Sequence, residues 1–155
     1  MPWALALLIA LLCAPLPAWA EAPPVLEGIV VRIVDGDTIH VRLADRVEKV
    51  RYIGVNTPEL HHPTRGEEPG GREARDVNRG LVEGQRVRLE VDVQSRDRYG
   101  RLLAYVWVGD VMINAELVRL GFAQVMTVPP NVRHQALFVK LQRDARAARR
   151  GLWAT

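Results

Sequence analysis

Two aspartates flank one glycine in the segment Asp35-Gly36-Asp37-Thr38, which directly follows a run of branched apolar residues. Asp and Gly supply turn geometry in any hairpin, so an ordinary β-turn accounts for the segment. Two carboxylates at the end of a strand also offer the hard oxygen ligands that calcium prefers. The segment by itself therefore leaves a turn and a calcium-binding loop both open.

A second segment, RYIGVNTPE at residues 51–59, combines a cation, oxygen donors and a carboxylate. Asn56 and Thr57 offer oxygens at a predicted strand terminus. Arg51 and Glu59 would face the same site, one as a cation and the other as a group able to accept a proton. A strand that runs into a proline turn, with Arg51 exposed to solvent, accounts for the segment equally well.

The third segment, DRYGRLLAY at residues 97–105, places two arginines around an aromatic residue. Arg101 would bind a phosphate, because a planar guanidinium matches phosphate oxygens. Tyr99 would lie close enough to contact a base or the phosphate. A tight turn at Tyr99 and Gly100, with its charges in solvent, is the alternative interpretation.

These segments lie at the ends of predicted strands. Branched and alternating residues predict strands at 28–34, 38–43, 48–53, 86–93 and 102–108. Helical spacing predicts helices at 72–83, at 114–120 and after Pro130, the last with Leu137, Leu141 and Ala145 on one apolar face. Residues 56–71 are a predicted long surface loop. The order indicates an α+β fold, a five-stranded OB-type β-barrel with about three α-helices.

The order and spacing of these segments resemble the staphylococcal-type nucleases, also called thermonucleases. The resemblance runs from about Glu27 to Trp153 and includes DGDT, RYIGVNTPE, DRYGRLLAY, NAELV at 114–118 and the closing GLW. It implies an OB-fold barrel with helices, a Ca²⁺ site and hydrolysis of DNA and RNA to 3′-phosphorylated products. It also implies that single strands are the preferred substrate and that the protein is a monomer.

The resemblance implies a role for each position in the three segments. Asp37 matches the first calcium carboxylate and Thr57 the backbone carbonyl ligand. Asp35 lies where the family has a further acid near the metal, and Glu59 matches the general base. The other matches are two phosphate-binding arginines and a substrate-binding pair: Arg51 and Arg101, and Arg98 and Tyr99.

Two positions depart from the family pattern. Asn56 stands where the family has a second calcium aspartate, so it keeps an oxygen ligand but loses a negative charge. We expect either weaker calcium binding than at a two-aspartate site or partial compensation by Asp35. Near Thr127 the sequence lacks the tyrosine that contacts the terminal nucleotide. An OB module that binds nucleic acid or a protein partner without catalysis is the alternative function. Retention of both arginines and of Glu59 favours the enzyme.

Two further groups of charged residues carry weaker predictions. His61 and His62 suggest a transition-metal site, but adjacent histidines without a Cys or an i,i+4 partner are more typical of a solvated loop. Arg143, Arg146 and Arg150 are predicted to share one face of the last helix. That face is interpreted as solvated, with a supplementary contact to nucleic acid as the alternative.

The first residues are typical of a secretory signal peptide. Residues 3–13 are apolar and uncharged, and Ala18-Trp19-Ala20 supplies an A-x-A cleavage site. We expect a signal peptide at 1–20, a short linker at 21–26 and a nuclease domain at 27–155. The protein would be exported to the periplasm or the medium, without stable membrane association after cleavage. An uncleaved anchor, or a lipid on Cys13, is the alternative.

Composition adds limits rather than a function. The chain of 155 residues carries a formal net charge of +3, and Lys49 and Lys140 are its only lysines. Its positive charge is thus nearly all arginine, which suits phosphate but does not require it. Cys13 is the only cysteine, so no disulfide can stabilise the mature domain.

Overall fold

The computed structural model describes residues 25–154. The expected signal peptide at 1–20 lies outside the described residues, as do the first four residues of the linker expected at 21–26. The last two residues of that linker belong to the first strand, where Val25 pairs with Glu90 and Leu26 with Leu89. The folded domain therefore includes them.

Five strands form a closed barrel, which confirms the predicted architecture. Within residues 25–154 the strands are β1 Val25–Ile33, β2 Thr38–Arg42, β3 Val47–Tyr52, β4 Val55–Asn56, β5 Arg86–Glu90, β6 Leu102–Val108, β7 Val111–Met112 and β8 Gln124–Val125. The five strands of the barrel are β1, β2, β3, β5 and β6. Neighbours follow the order β3-β2-β1-β5-β6-β7, and a parallel pairing of β3 with β6 closes the barrel. The short strands β4 and β8 form a separate antiparallel pair.

Within residues 25–154 three helices accompany the barrel, again as predicted. They are α1 Gly71–Val82, α2 Ile113–Arg119 and α3 Gln135–Ala147, followed by a 3-10 turn at Gly151–Trp153. Within residues 25–154, no helix combines the length and the apolar character needed to cross a membrane. The predicted strand 86–93 is shorter than expected and ends at Glu90; beyond it the Val93 N–H donates to the Asp92 carboxylate (2.9 Å) instead of to a neighbouring strand.

The core fills the barrel through the alternation of its strands. In β2, Ile39 and Val41 are fully buried, whereas Arg42 is exposed. The apolar face predicted for α3 is wrong in one position, since Leu137 is 41% exposed and Phe138 is 1% exposed. Phe138 packs against Gly54, where a Cβ would lie 2.7 Å from the ring. A four-residue spacing defines a stripe along a helix but does not settle which neighbouring stripe meets the barrel.

A buried asparagine fixes the end of β3, from which the second segment continues. Asn114 in α2 donates through Nδ2 to the Ile53 carbonyl (2.9 Å) and accepts through Oδ1 from the Val106 N–H (2.9 Å). Its side chain has no exposed surface, so each of these bonds satisfies a group that water cannot reach. The bonds hold α2, β3 and β6 together behind the candidate site.

Candidate active site

The loop between β1 and β2 brings the first segment against the second. This acidic loop (residues 34–37) holds Asp37, whose Oδ2 accepts the Thr57 N–H (2.8 Å) and whose Oδ1 accepts the Thr38 hydroxyl (3.0 Å). Gly36 makes the approach possible, because a Cβ there would lie 2.7 to 2.8 Å from the Thr57 side chain. Asp37 and Thr57, two predicted calcium ligands, are therefore in direct contact.

Arg51 lies at the centre of the same group and is largely buried. Its Nη1 donates to the carbonyls of Tyr52 (2.7 Å) and Val55 (2.8 Å), while Nη2 donates to Asn56 Oδ1 (3.0 Å). The Nη2 atom also lies 3.2 Å from Asp37 Oδ2. Main-chain carbonyls thus fix the guanidinium, and its outer nitrogen joins the aspartate to the asparagine.

Asp35, the further acid of the loop, is held from behind by a chain of hydrogen bonds. Its carbonyl accepts a bond from Asn78 Nδ2 (3.0 Å), and Asn78 Oδ1 accepts one from the Tyr52 hydroxyl (2.8 Å). Burial, followed by the negative charge of Asp37, raises the pKa of the Asp35 carboxyl to about 7. Near neutral pH the Asp35 carboxyl is therefore less fully ionised than a solvent-exposed aspartate.

Sequence reasoning missed Asn78. The residue is fully buried in α1, four positions after the buried Ala74. A polar side chain within the apolar stripe of a predicted helix was the available signal, because a buried amide needs partners.

A cleft of about 490 Å³ opens beside Arg51 and receives the third segment. Its lining joins the end of β3 to a loop that we call the cleft loop (residues 94–101). The side chains that line it include Arg51, Gln94, Asp97, Arg98, Tyr99, Arg101, Met126, Val128 and Asn131. Both predicted phosphate-binding arginines therefore border one cavity, together with both predicted substrate-binding residues.

Asp97 organises the cleft loop. Its Oδ2 accepts Arg101 Nε (2.7 Å), and its Oδ1 accepts the main-chain N–H groups of Tyr99 (2.9 Å) and Arg101 (3.0 Å). Burial raises the pKa of the Asp97 carboxyl, but the hydrogen bonds from Arg101 and Tyr99 outweigh burial and lower it below its usual value. Asp97 thus orients Arg101, a role that the sequence analysis did not assign.

Tyr99 is the exposed aromatic surface of the cleft. Its exposed fraction is 67%, and the guanidinium carbons of Arg98 and Arg101 lie 4.8 and 5.5 Å from the ring centroid. Such stacking is a cation–π arrangement. The cleft is also lined by Met126 and Val128, which are 42% and 56% exposed and flank Thr127. Near Thr127 the cleft therefore has apolar side chains and no aromatic one.

Glu59 is a predicted site residue whose side chain forms no hydrogen bond or ion pair with the other predicted site residues of the described chain. Its main chain is fixed, since its N–H donates to Glu68 Oε2 (3.0 Å) and its carbonyl accepts the Glu68 N–H (2.8 Å). The side chain is exposed, and within residues 25–154 no hydrogen bond or ion pair engages its carboxylate. Two residues after Thr57, the carboxylate is near the site in sequence, and it is exposed to solvent.

The oxygen donors fit a calcium ion better than a transition metal. Asp37, Asn56 and Thr57 supply only oxygen atoms, and calcium accepts carboxylate, amide and main-chain oxygens together. Within the described part of the chain, Thr57 Oγ1 is buried without a hydrogen-bond partner. No group of three His, Cys, Asp or Glu residues between 25 and 154 could hold a metal alone. Any ion here therefore depends on the neutral oxygens of Asn56 and Thr57.

The histidines and the late arginines lie elsewhere. His62 is engaged in its own turn, where Nδ1 accepts the Thr64 N–H (3.3 Å) and Nε2 lies 3.0 Å from Arg65 Nη2. The predicted shared face of three arginines is wrong for Arg150, because α3 ends at Ala147. Arg150 instead donates to the Arg119 carbonyl (3.2 Å), and Arg146 stacks on Trp153 at 4.2 Å.

The fold and the site define a class: an OB-type barrel with three helices that carries a carboxylate loop beside an arginine-lined cleft. Comparison with known proteins agrees. The family profile described as staphylococcal nuclease homologue matches residues 49–155. The thermonuclease of Staphylococcus hyicus is 40% identical over 125 residues, which cover 81% of this chain and 74% of the relative.

Two other relatives extend the comparison. Endonuclease YncB of Bacillus subtilis is 36% identical over 79% of this chain and 59% of its own length. Protein ParB of Escherichia coli is 34% identical over 94% of this chain and 80% of its own length. The chain belongs to the staphylococcal nuclease family and is a nuclease, a hydrolase of phosphodiester bonds in nucleic acid.

Proposed function

We propose that this nuclease is exported and calcium-dependent, and that it hydrolyses DNA and RNA, single strands preferentially, to 3′-phosphorylated products. The observation that carries the proposal is the position of Arg51, which is bonded to Asp37 and Asn56 on one side and borders the cleft of Arg101 on the other. This geometry supports a site in which a scissile phosphate lies between two guanidinium groups and a metal. The protein would act as a monomer.

Asp37, Asn56 Oδ1 and the Thr57 carbonyl would hold the calcium ion, with Asp35 close behind. Bound calcium would supply positive charge that polarises a water molecule and a phosphate oxygen. Asp37 and Asn56 now occupy Arg51 Nη2, so a phosphate oxygen would compete with them for that donor. The all-oxygen donor set supports calcium as the ion.

The arginines would stabilise the transition state. Negative charge develops on the phosphate oxygens as water attacks, and donors that are already oriented need no rearrangement at that moment. Bonds from Nη1 to the carbonyls of Tyr52 and Val55 orient Arg51, and Asp97 orients Arg101. Tyr99, with Arg98 stacked on it, would contact the nucleotide in the cleft.

Glu59 would accept the proton of the attacking water. Its exposed carboxylate is free of other partners among the described residues, so it can turn towards a phosphate at Arg51. Replacement by glutamine keeps the shape but removes the basic oxygen, and we expect cleavage to fall by about 10²- to 10⁴-fold. The matched control is Glu67→Gln, an exposed glutamate in the same loop. Full activity in Glu59→Gln would exclude this role.

The decisive experiment is cleavage of single-stranded DNA and RNA by the purified protein while calcium is titrated, beside a chelator control and the Asn56→Asp variant. Cleavage that needs calcium supports the proposal. Because Asn56→Asp adds a second ligand charge, half-maximal cleavage should then require less calcium. No cleavage at any calcium concentration, with oligonucleotide binding intact, would instead identify a binding module.

Export has its own test. The proposed cleavage site follows Ala20, so the N-terminal sequence of the exported protein should begin at Glu21. Recovery with an intact N-terminus, or with a lipid on Cys13, would replace cleaved export by one of the membrane-attached alternatives.

A further inference from the structure

The outer surface of the barrel carries a second concentration of positive charge. Four exposed residues of β1, β2, β3 and β5 form what we call the basic face: Arg32, Arg42, Lys49 and Arg86. They lie in two rows across the sheet. In one row Arg32 is opposite His40, and His40 is opposite Lys49. In the other row Ile29 separates Arg42 from Arg86.

These four cations differ from most others in the protein. Most helix arginines are paired, for example Arg72 with Glu67 (2.8 Å), Arg79 with Asp76 (3.3 Å) and Arg119 with Glu116. No carboxylate of residues 25–154 forms an ion pair with any member of the basic face.

Neighbouring like charges on one sheet face are unfavourable without a partner. The pKa of His40 is lowered, first by burial and then by the positive charges of Arg32 and Lys49. On β1 the exposed Glu27 lies a row further on, opposite Arg88. The basic face is therefore suited to an external polyanion.

The basic face is continuous with the candidate active site. Alternation along β3 places Val47, Lys49 and Arg51 on the same side of the strand. Residues two apart are separated by about 6.6 to 6.8 Å along a strand. Arg51 pairs with Thr38, next to Asp37, and the following row holds Lys49 and His40. A chain that leaves Arg51 along β2 and β3 therefore meets first Lys49 and then Arg42.

We infer that the basic face binds the backbone phosphates of single-stranded nucleic acid beyond the scissile bond. The inference rests on the proposed position of the scissile phosphate at Arg51. Lysine and arginine would contact phosphates rather than base edges, so the face adds affinity for long strands without adding sequence preference. Through these contacts the nuclease would bind a long strand more tightly than a short fragment.

The test is equilibrium binding of a short and a long single-stranded oligonucleotide in chelator, over a range of salt concentrations. One variant, which we call the track variant, removes three charges of the basic face by Arg32→Gln, Arg42→Gln and Lys49→Gln together. The control variant, Arg72→Gln, Arg79→Gln and Arg119→Gln, removes the same charge from the helices. On single strands each phosphate contact contributes about 0.7 to the slope of log affinity against log salt, so the track variant should lose about 2 on the long strand.

The outcomes separate the inference from its alternatives. A slope reduced only in the track variant, and only on the long strand, supports the basic face. An unchanged slope, or an equal reduction in both variants, overturns it. Lys49→Gln alone is a second variant, which should lower the slope by about 0.7, and unfolding in urea verifies that each protein is folded. Binding in chelator needs no cleavage, so failure of the proposed catalytic function would appear only in the hydrolysis experiment.

Discussion

The acidic loop and the cleft loop flank the same cavity but are built in different ways. The acidic loop is held by residues far away in sequence: Thr57 binds Asp37, and Asn78 binds the Asp35 carbonyl. In the cleft loop, Asp97 bonds only to residues within four positions of itself.

Exposure follows the same division, with Asp37 5% and Tyr99 67% exposed. A metal and a scissile phosphate need fixed geometry, which tertiary contacts supply. A nucleotide base varies, and a locally organised, exposed loop can adapt to it.

The strongest test of this contrast compares two variants, one with Arg51 and the other with Arg101 replaced by glutamine. Cleavage should fall in both variants by about 10²-fold or more, because each loses a donor to the phosphate. Stability should separate them. Arg51→Gln leaves Asp37 and two main-chain carbonyls in a buried site, so the free energy of unfolding should fall by about 3–5 kcal/mol.

Arg101→Gln disrupts a partly exposed pair within one loop, and its loss of stability should stay below about 1 kcal/mol. Urea unfolding in chelator measures both values without an effect of metal. Equal losses in the two variants would show that the two loops are not held differently.

The sequence predicted the parts of both loops that depend on local pattern. Alternation in β2 and the turn residues around Gly36 place Asp37 correctly at a strand end, and the order of the segments placed Arg51 and Arg101 at one cavity. Closure of the barrel by β3 and β6 joins residues about fifty positions apart, and no local period encodes that pairing.

The residues that orient the site were harder to find. Asn78 and Asn114 act through hydrogen bonds to distant main-chain groups, so their partners exist only once the chain has folded. Asp97 has local partners, but its carboxylate was not distinguishable in the sequence from a solvated turn residue. The position of Phe138 against Gly54 likewise depends on how α3 meets the barrel.

A second prediction concerns the buried hydrogen bonds by which Asn78 supports the acidic loop. Asn78→Ala removes the donor to the Asp35 carbonyl and the acceptor of the Tyr52 hydroxyl, and leaves both groups buried. We expect the free energy of unfolding to fall by about 1–3 kcal/mol, and the calcium concentration for half-maximal cleavage to rise. Arg79→Ala, on the exposed side of the same helix, is the control. A loss no larger than that of the control would mean that the hydrogen-bond chain does not hold the loop.

The smallest effect concerns the charged long-range tie of the cleft loop, which adds to the hydrogen bonds between the Gln94 main chain and the Asn131 side chain (2.8 Å each). Arg96 donates to Glu48 in β3 through Nη2 (2.7 Å) and Nη1 (2.9 Å). The hydrogen bonds from Arg96, aided by Arg46 and opposed by burial, lower the pKa of the Glu48 carboxyl to about 2.

A carboxyl whose pKa is lower in the folded state stabilises the fold above its unfolded pKa and loses that contribution as pH falls towards the folded value. Stability from this tie should therefore decline between about pH 4.5 and about pH 2. Urea unfolding across this interval should show a shallower decline in Glu48→Gln than in the unchanged protein. Parallel declines would mean that the charge of Glu48 does not stabilise the attachment of the cleft loop to the barrel.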